Sequence, residues 1–324
     1  MGNSYLARKV FQAFLTLLFV LIVNFLLFRA MPGSAERILL RNPHISAEQL
    51  QTQRERWGLD KPVFPDQLVD YLVTTTQLDL GYSFQFRGQH VTDVIAAKIG
   101  PTVLLIGVGE VIAIILGLAL GAYSGWRRGG PIDYGGTSLA LILYSMPSFW
   151  LGMILLIVFS TSLGLFPGHG MVTPGLSNAD PVARIQDLLG HLILPGVTYS
   201  IGYIGQYSLL MRSSIIEVLA EDYVQTARAK GLTEGRILRS HALPNALLPT
   251  VTLVAINLGY IWAGAITVEE VFSWPGLGTL TVDALDSRDY PVLQGIFLIL
   301  SVSVIIANLV ADVIYSRLDP RVRT

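Results

Sequence analysis

The sequence predicts an all-α polytopic membrane protein with six transmembrane helices. Hydrophobic residues make up 52% of its 324 residues and charged residues only 14%, whereas a soluble domain carries about 25% charged residues. Six apolar runs are long enough to cross a bilayer, which needs about 20 helical residues. They cover residues 10–28, 102–123, 138–160, 192–211, 250–268 and 292–314.

The first apolar run is predicted to remain as a membrane anchor. Arg8 and Lys9 precede it, as basic residues do in a signal peptide. The run is too long for a signal core, however, and no small-x-small cleavage site follows it.

Basic residues predict that both chain ends are cytoplasmic, because short cytoplasmic loops are enriched in lysine and arginine. Such residues flank span one, follow spans two and six, and lie between spans four and five: Arg8, Lys9, Arg127, Arg128, Arg212, Arg228, Lys230, Arg236, Arg239, Arg317, Arg321 and Arg323. The loop at 164–191 contains only Arg184. In the loop at 269–291, Arg288 is outnumbered by acidic residues, namely Glu269, Glu270, Asp283, Asp286 and Asp289.

The predicted topology divides the chain into three parts. Residues 1–30 form a cytoplasmic tip and the first span, residues 31–101 form an extracytoplasmic segment, and residues 102–324 form a five-helix core. The core contains a cytoplasmic region at 217–249 whose charged, helix-prone sequence is unusual between two spans.

Local patterns predict helices within the extracytoplasmic segment at 46–58, 62–76 and 91–99, the last leading into span two across a break at Gly100–Pro101. Pro147 is predicted to kink span three, and Pro195 lies at the start of span four. The kink at Pro147 is interpreted as a packing feature or as backbone that lines a cavity.

Motifs for catalysis are absent from the sequence. No glycine-rich loop ends in Gly-Lys-Ser/Thr, no His-Glu-x-x-His run occurs, and no Gly-x-Ser-x-Gly elbow occurs. The histidines are predicted to be solvated loop residues: His44, His90, His169, His191 and His241. An intramembrane enzyme is therefore not predicted.

Ionisable residues within the spans suggest functional roles because they are costly at membrane depth. Glu110 lies about nine residues into span two. It is predicted to face the bundle interior or a water-filled path, where it meets either a cationic substrate group or a neighbouring polar side chain. Asp312, near the cytoplasmic end of span six, is predicted to pair with Arg317 or Arg321.

The stretch at 225–249, QTARAKGLTEGRILRSHALPNALLP, predicts two short helices broken at Gly231, with Pro244 closing the second. Ala227 and Ala229 are small, so the first helix can approach a surface closely. Gly231 suits the left-handed position that ends a helix. The stretch is interpreted as a peg that docks on a cytoplasmic partner, the alternative being an amphipathic helix on the membrane surface.

This stretch resembles the signature of ABC-importer permeases: Glu-Ala-Ala, three residues, Gly, nine residues, then Ile-x-Leu-Pro. The residues in register are Ala227, Gly231, Leu243 and Pro244, and the residues that depart are Gln225, Thr226 and His241. The TARAKGL form is typical of peptide permeases. The chain is thus similar to the ABC-transporter permeases of the oligopeptide/dipeptide importer family.

Further family motifs extend this resemblance over most of the chain. They are RAMPG at 29–33, GLDKP at 58–62, DLGYS at 79–83, SMPSFW at 145–150, VFSWPGLG at 271–278, RDYP at 288–291 and LDPR at 318–321. The long segment after span one resembles the first of the two non-identical permeases in such importers.

The resemblance implies a type I importer permease fold and a non-catalytic subunit without a cofactor of its own. ATP and magnesium are bound by partner subunits. The implied coupling residues are Asp222, Tyr223, Ala227, Arg228, Ala229, Lys230, Gly231, Leu243 and Pro244. The implied partners are a second homologous permease, two cytoplasmic ATP-binding subunits and an extracytoplasmic substrate-binding protein, in a bacterial plasma membrane. No nucleic-acid partner is implied.

The resemblance also suggests further sites. Glu110 and Pro147 are candidates for the substrate path, and Asp283, Asp286 and Asp289 are candidates for binding-protein docking. Related permeases carry dipeptides, oligopeptides, nickel chelates, glutathione or sugars, and these substrates stay open. A secondary transporter is a weaker alternative, because inverted repeats are not visible. A role as a sensory or scaffold membrane protein does not explain why the full set of permease motifs matches in register.

Overall fold

The computed structural model describes residues 3–30, 51–52, 60–86, 88–176, 180–259 and 265–318, and this part of the chain is predominantly helical. The helices are α1 Asn3–Ala30, α2 Leu68–Thr76, α3 Val91–Trp126, α4 Pro131–Ser145, α5 Ser148–Leu155, α6 Pro181–Leu219, α7 Asp222–Ala229, α8 Glu234–Ile237, α9 Leu243–Gly259, α10 Ile266–Val271, α11 Leu277–Ser287 and α12 Tyr290–Leu318. Wider π-helical turns occur at Leu156–Ser162 and Leu238–Ala242.

Four helical segments are long and apolar enough to cross a membrane: Ala7–Arg29, Val91–Trp126, Pro181–Leu219 and Tyr290–Val310. A bent pair, Pro131–Ser145 with Ser148–Ser162, makes a fifth if it is one span. The span predicted at 250–268 is described only in part, by α9 and α10, since residues 260–264 lie outside the described residues. The part of the chain that the structure describes is thus all-helical in class, with four to five candidate spans, and the sixth span stays a prediction.

Proline 147 bends the third span as predicted. Helix α4 ends at Ser145, Met146 and Pro147 are extended, and α5 restarts at Ser148 with a bend of 96°. A proline lacks the N–H that would continue the helix and restricts the residue before it, so the chain changes direction here.

Two predictions about helix ends were wrong. The break predicted at Gly100–Pro101 is absent, since α3 runs without interruption from Val91 to Trp126. A proline removes one helical hydrogen bond, and the long apolar helix tolerates this loss. Pro244 does not close the second helix of the cytoplasmic stretch; it lies in the first turn of α9, directly after a π-helical turn.

Pro195 also lies elsewhere than predicted, well inside α6, because this helix already begins at Pro181. Of the helix predicted at 46–58, only Gln51 and Thr52 belong to the described residues. Of the helix predicted at 62–76, α2 forms the regular part, Leu68–Thr76, whereas the backbone at Phe64 is extended.

The chain forms two compact units. The first comprises Met1–Gly100 and Gly276–Leu309, and the second comprises Pro101–Pro275 and Val310–Thr324. In the first unit, the Asn24 side chain of α1 donates hydrogen bonds to the Tyr71 hydroxyl (3.2 Å) and to the Gln294 carbonyl (3.1 Å). The buried Phe25 ring packs against the ring of Tyr71 at 5.6 Å. These contacts join α1, α2 and α12.

In the second unit, small residues at every fourth position of α3 lie against α6. They are Gly109, Ala113, Gly117, Gly121 and Gly125. A Cβ atom added at Gly121 would lie 2.3 Å from the carbonyl oxygen of Ser208. Such small-xxx-small rows let the backbones of membrane helices approach closely, and the α3–α6 contact is accordingly too close for any larger side chain at this position.

Candidate functional site

The predicted cytoplasmic stretch folds into two short helices, α7 and α8, separated by a tight turn. Gly231 has φ +77°, in the left-handed region that favours glycine. Its N–H donates to the carbonyl of Arg228 (2.9 Å), and the N–H of Leu232 donates to the carbonyl of Ala227 (3.3 Å). These bonds satisfy the last carbonyls of α7 and end the helix at the predicted glycine.

This helix pair has a hydrophobic core of its own. The fully or almost fully buried residues are Val224, Ala227 and Ile237, and the partly buried residues around them are Trp126, Val218, Leu219 and Leu232. The core therefore joins the helix pair to the cytoplasmic ends of α3 and α6. Ala227 is only 5% exposed, so it packs inside this chain; its predicted role as a contact to a partner surface needs correction.

The opposite face of α7 is exposed. At about 100° per residue, Ala229 lies across the helix from the buried Val224 and Ala227, with Asp222 and Thr226 beside it, and all three are exposed. Exposed small and short polar side chains leave this face flat. It can therefore lie close against another protein.

The remaining predicted coupling residues lie on α7, in the turn after it and at the start of α9. Arg228 pairs with Glu234 of α8 (Nε to Oε1, 3.0 Å), which braces the turn. Lys230 and Pro244 are exposed, and Leu243 is half-buried against the cluster of Met211, Ile215, Ala242 and Ala246. The structure thus separates the predicted set into core residues and surface residues.

Tyr223 contributes a neutral polar group at the edge of the exposed face. Its pKa lies above the usual tyrosine value, first because burial disfavours the phenolate and second because Glu221 carries a like charge. The phenol therefore keeps its proton at physiological pH and can donate a hydrogen bond.

Glu110 is buried, with 2% of its surface exposed, in a polar network of the second unit. The Tyr207 hydroxyl of α6 donates to Glu110 Oε1, and the Asn257 amide of α9 donates to the Tyr207 oxygen at 2.9 Å. Glu110 was predicted to meet either a cationic substrate group or a neighbouring polar side chain. The structure shows the second, the hydroxyl of Tyr207. Tyr207 and Asn257 could not be predicted as partners in this network, because the network joins residues far apart in the chain.

A second buried carboxylate lies in the first turn of α4. Asp133 accepts from Arg212 Nε (2.5 Å) and Nη2 (3.0 Å), from the N–H of Gly129 and from Thr137. Bidentate arginine–carboxylate pairs are geometrically specific. The pair fixes α4 against α6 near the end of α6 that leads into α7, so Arg212 has a packing role.

Glu269 is also fully buried rather than a solvated loop residue. Its carboxylate accepts from Thr102 Oγ1 (2.6 Å), and the nearby Trp274 indole donates to the Pro101 carbonyl (2.9 Å). These bonds hold Glu269, in α10, and Trp274, just after it, against α3 at Pro101 and Thr102.

The predicted docking residues divide into exposed and buried ones. Asp283 and Asp286 are exposed on α11, which is a helix and not the loop that was predicted. Asp289 is fully buried: its carboxylate accepts from Ser83 Oγ, from the N–H of Gln85 (3.0 Å) and from the N–H of Val292. It therefore caps α12 and anchors the DLGYS segment, and it cannot contact another protein directly.

Two further predictions concern single side chains. His191 is buried on α6, with Nδ1 2.9 Å from the carbonyl of Asp187, so the prediction of a solvated loop residue was wrong for this histidine. The side chain of Asp312 and its predicted pairing lie outside the described residues.

Among the described residues, no group of three histidine or acidic side chains has the geometry to hold a metal ion.

The long apolar helices indicate a membrane protein. Residues 113–324 match the family model described as binding-protein-dependent transport system inner membrane component, and residues 3–106 match the N-terminal model of the same systems. The chain belongs to this family. It is therefore a multi-pass inner-membrane protein, and the family implies ATPase and binding-protein partners.

Named relatives cover nearly the full length of the chain. A Brucella suis biovar 1 (strain 1330) protein whose name assigns it to the peptide permeases is 40% identical over 309 residues, 95% of each chain. The oligopeptide transport system permease protein AppB of Bacillus subtilis (strain 168) is 35% identical, over 98% of this chain and 99% of AppB. The glutathione transport system permease protein GsiC of Salmonella choleraesuis (strain SC-B67) is 36% identical over 99% of each chain.

Solved structures share the fold. The inward-facing MetNI methionine ABC transporter matches 70% of this chain and 96% of its own, with a TM-score of 0.56 and 16% identity. A crystal structure of an amino acid ABC transporter with histidines matches 70% of this chain and 94% of its own, with a TM-score of 0.52 and 15% identity. At this identity the likeness shows the fold alone, which is that of type I ABC-importer permeases.

Proposed function

We propose that the chain is the transmembrane permease subunit of an ATP-driven importer of oligopeptides or dipeptides. The observation that carries this proposal is the folded helix pair α7–α8, whose exposed flat face is centred on Ala229 and whose core rests on the ends of α3 and α6. Membership of the family and the peptide-permease names of the relatives support the substrate class.

In this proposal the chain forms half of the translocation path and a second homologous permease forms the other half. Six spans place both termini in the cytoplasm, where two ATP-binding subunits hydrolyse ATP and this chain performs no catalysis. Closure of those subunits displaces α7, and the buried core passes the displacement to α3 and α6. Glu110 and Pro147 then lie along the path that opens. This cycle accounts for a rigid, well-packed element at the cytoplasmic surface.

The first test is uptake of substrate into proteoliposomes that contain the purified complex and an ATP-regenerating system. We expect ATP-dependent uptake of short peptides when the binding protein is present. Replacing Gly231 by proline removes the N–H that donates to Arg228 and is incompatible with φ +77°. The replacement should lower uptake at least about tenfold, since loss of both features costs more than about 1.4 kcal/mol.

Wild-type complexes provide the substrate comparison in the same assay. Competition by di-, tri- and pentapeptides, by glutathione and by a nickel chelate distinguishes the peptide proposal from the substrates of related permeases, glutathione being the one printed for GsiC. Uptake of glutathione but not of peptides would replace the substrate class. Uptake that follows an ion gradient without ATP would contradict the importer proposal.

The exposed carboxylates of α11 are proposed to receive the binding protein. Reversing the charge at both Asp283 and Asp286 should weaken binding-protein affinity by roughly tenfold at low salt, because rim charges act mainly on association and are screened by salt. Affinity is measured by titrating the binding protein on the reconstituted complex. Reversal at the exposed Asp180, which begins another helix, is the control. Equal affinities for both variants would contradict the proposed surface.

A further inference from the structure

A chain of buried hydrogen bonds joins three helices of the second unit. Tyr207 of α6 stands in its centre, fully buried, between the Glu110 carboxylate of α3 and the Asn257 amide of α9. Asn257 also donates to Gln206 Oε1 at 3.3 Å. We call the three residues Glu110, Tyr207 and Asn257 the polar latch.

The direction of these hydrogen bonds is fixed by the chemistry of the groups. The Asn257 Nδ2 atom donates to the Tyr207 oxygen, so the hydroxyl proton of Tyr207 is free to bond only to Glu110 Oε1. Tyr207 is thus acceptor and donor at once, and removing its hydroxyl breaks both bonds together.

The polar latch is not fully satisfied. Glu110 Oε2 is buried and has no hydrogen-bond partner among the described residues. A buried polar oxygen without a partner is costly, and partly satisfied networks are less stable than complete ones. Glu110 Oε2 can therefore accept a hydrogen bond from a further donor while Oε1 keeps the bond from Tyr207.

Two of the three helices are tightly locked to each other. The row of small residues on α3 brings its backbone against α6, and a Cβ at Gly117 would lie 2.9 Å from the Ile204 carbonyl oxygen. Helix α9 also packs on α6, with Leu253 and Val254 near Tyr207. The hydrogen bond from Asn257 to Tyr207 is a directional polar link between α9 and this α3–α6 pair.

Helix α9 is also the direct continuation of the coupling segment. The π-helical turn Leu238–Ala242 follows α8 and passes into α9 at Leu243 without a break. From there Asn257 lies about 20 Å along the helix, at about 1.5 Å per residue. A displacement of the helix pair at the cytoplasmic surface can thus reach Asn257 through one helix.

We propose that the polar latch positions α9 against the α3–α6 pair in the resting permease, and that it opens when the coupling helices move. Its three members are positioning residues that keep ATP hydrolysis low until the loaded binding protein arrives. The inference rests on the proposed function, since it assigns a regulatory step to the same coupling element.

The test compares Tyr207→Phe and Asn257→Leu in the complete reconstituted complex. Tyr207→Phe removes the hydroxyl but keeps the ring in its cluster with Ala113 and Ile204. We expect basal ATP hydrolysis without binding protein to rise about fivefold, the change in population that loss of one typical hydrogen bond produces. The double variant should show a rise well below the product of the two single effects, because both changes break the bond between Asn257 and Tyr207 and only the bond from Asn257 to Gln206 is lost in addition.

Tyr203→Phe is the matched control, since it removes a hydroxyl one turn earlier on the same helix, where Tyr203 stacks on Tyr199 at 4.8 Å. It should leave basal hydrolysis at the wild-type value. Thermal stability of every complex is measured in parallel. A rise of basal hydrolysis with near-normal stability supports the polar latch.

Three results would overturn the inference: unchanged basal hydrolysis in both variants, an equal rise in Tyr203→Phe, or a parallel fall of stability and hydrolysis. Basal hydrolysis does not depend on which substrate is carried. The experiment can therefore contradict the polar latch while wild-type peptide uptake supports the proposed function. It can equally support the polar latch while the uptake assay contradicts peptides as the substrate.

Discussion

Replacing Gly121 by alanine should prevent α3 from packing on α6. The new Cβ would lie 2.3 Å from the Ser208 carbonyl oxygen and 2.8 Å from the Met211 Cβ. The nearest obstacle is backbone, which cannot turn aside as a flexible side chain does, so the two helices must separate. We expect a loss of about 3 kcal/mol in the stability of the folded chain, at the upper end for overpacked cores. Thermal unfolding of the purified complex measures this loss.

Gly107→Ala is the matched control for this prediction. Gly107 lies on the same helix, and a Cβ added there meets nothing within 4 Å. The control should be neutral, or stabilising by up to about 1 kcal/mol because alanine favours the helix. Equal unfolding temperatures for the two variants would show that the α3–α6 contact is not as close as described.

Replacing Ala229 by tryptophan should abolish coupling while the chain still folds. Ala229 is exposed on the face of α7 opposite its buried residues, so the bulky ring enters no part of this chain's core. The ring would hold α7 away from the ATP-binding subunit. Because the contacts at the centre of an interface carry most of its binding energy, this separation should be costly. We expect ATP-dependent uptake to fall at least about a hundredfold, which corresponds to roughly 3 kcal/mol.

Ala229→Ser tests whether size is the cause, because serine keeps the side chain small. Its uptake should stay within about twofold of wild type, since exposed surface substitutions change free energies by about 0.5 kcal/mol or less. Retention of the ATP-binding subunits during purification is measured for both variants. Normal uptake by Ala229→Trp would remove this face from the coupling site.

Hydropathy and the spacing of the family motifs predicted the helical class and the main apolar segments. Hydropathy and motif spacing can be read from residues that are close together in the chain. The end of a helix at Gly231 was predicted because this glycine follows a helix-prone run. Its positive φ is the backbone conformation that such a helix end requires. The extent of helices was less predictable. Pro101 and Pro195 lie inside long helices because packing on both sides outweighs one missing hydrogen bond.

Roles of individual polar residues could not be predicted from the sequence, since their partners lie far away in the chain. Asp133 and Arg212 are 79 positions apart, and Ser83 and Asp289 are 206 apart. Charge counts placed Arg212 and Asp289 in flanking loops, whereas Arg212 pairs with the buried carboxylate of Asp133 and the carboxylate of Asp289 is itself buried. Ala227 and Ala229 have the same side chain, and only the helix packing separates the core residue from the surface residue.

Cross-linking at position 229 tests most directly whether the exposed face of α7 receives the ATP-binding subunit. The chain has no cysteine of its own, so a short cross-linker with one thiol-reactive end and one amine-reactive end attaches to this chain at Ala229→Cys alone through its thiol-reactive end and captures an amine of the partner. The account predicts a covalent product with the ATP-binding subunit from Ala229→Cys, and none from Ala227→Cys, which is almost fully buried. A product from position 227 but not from 229, or from neither, would contradict it.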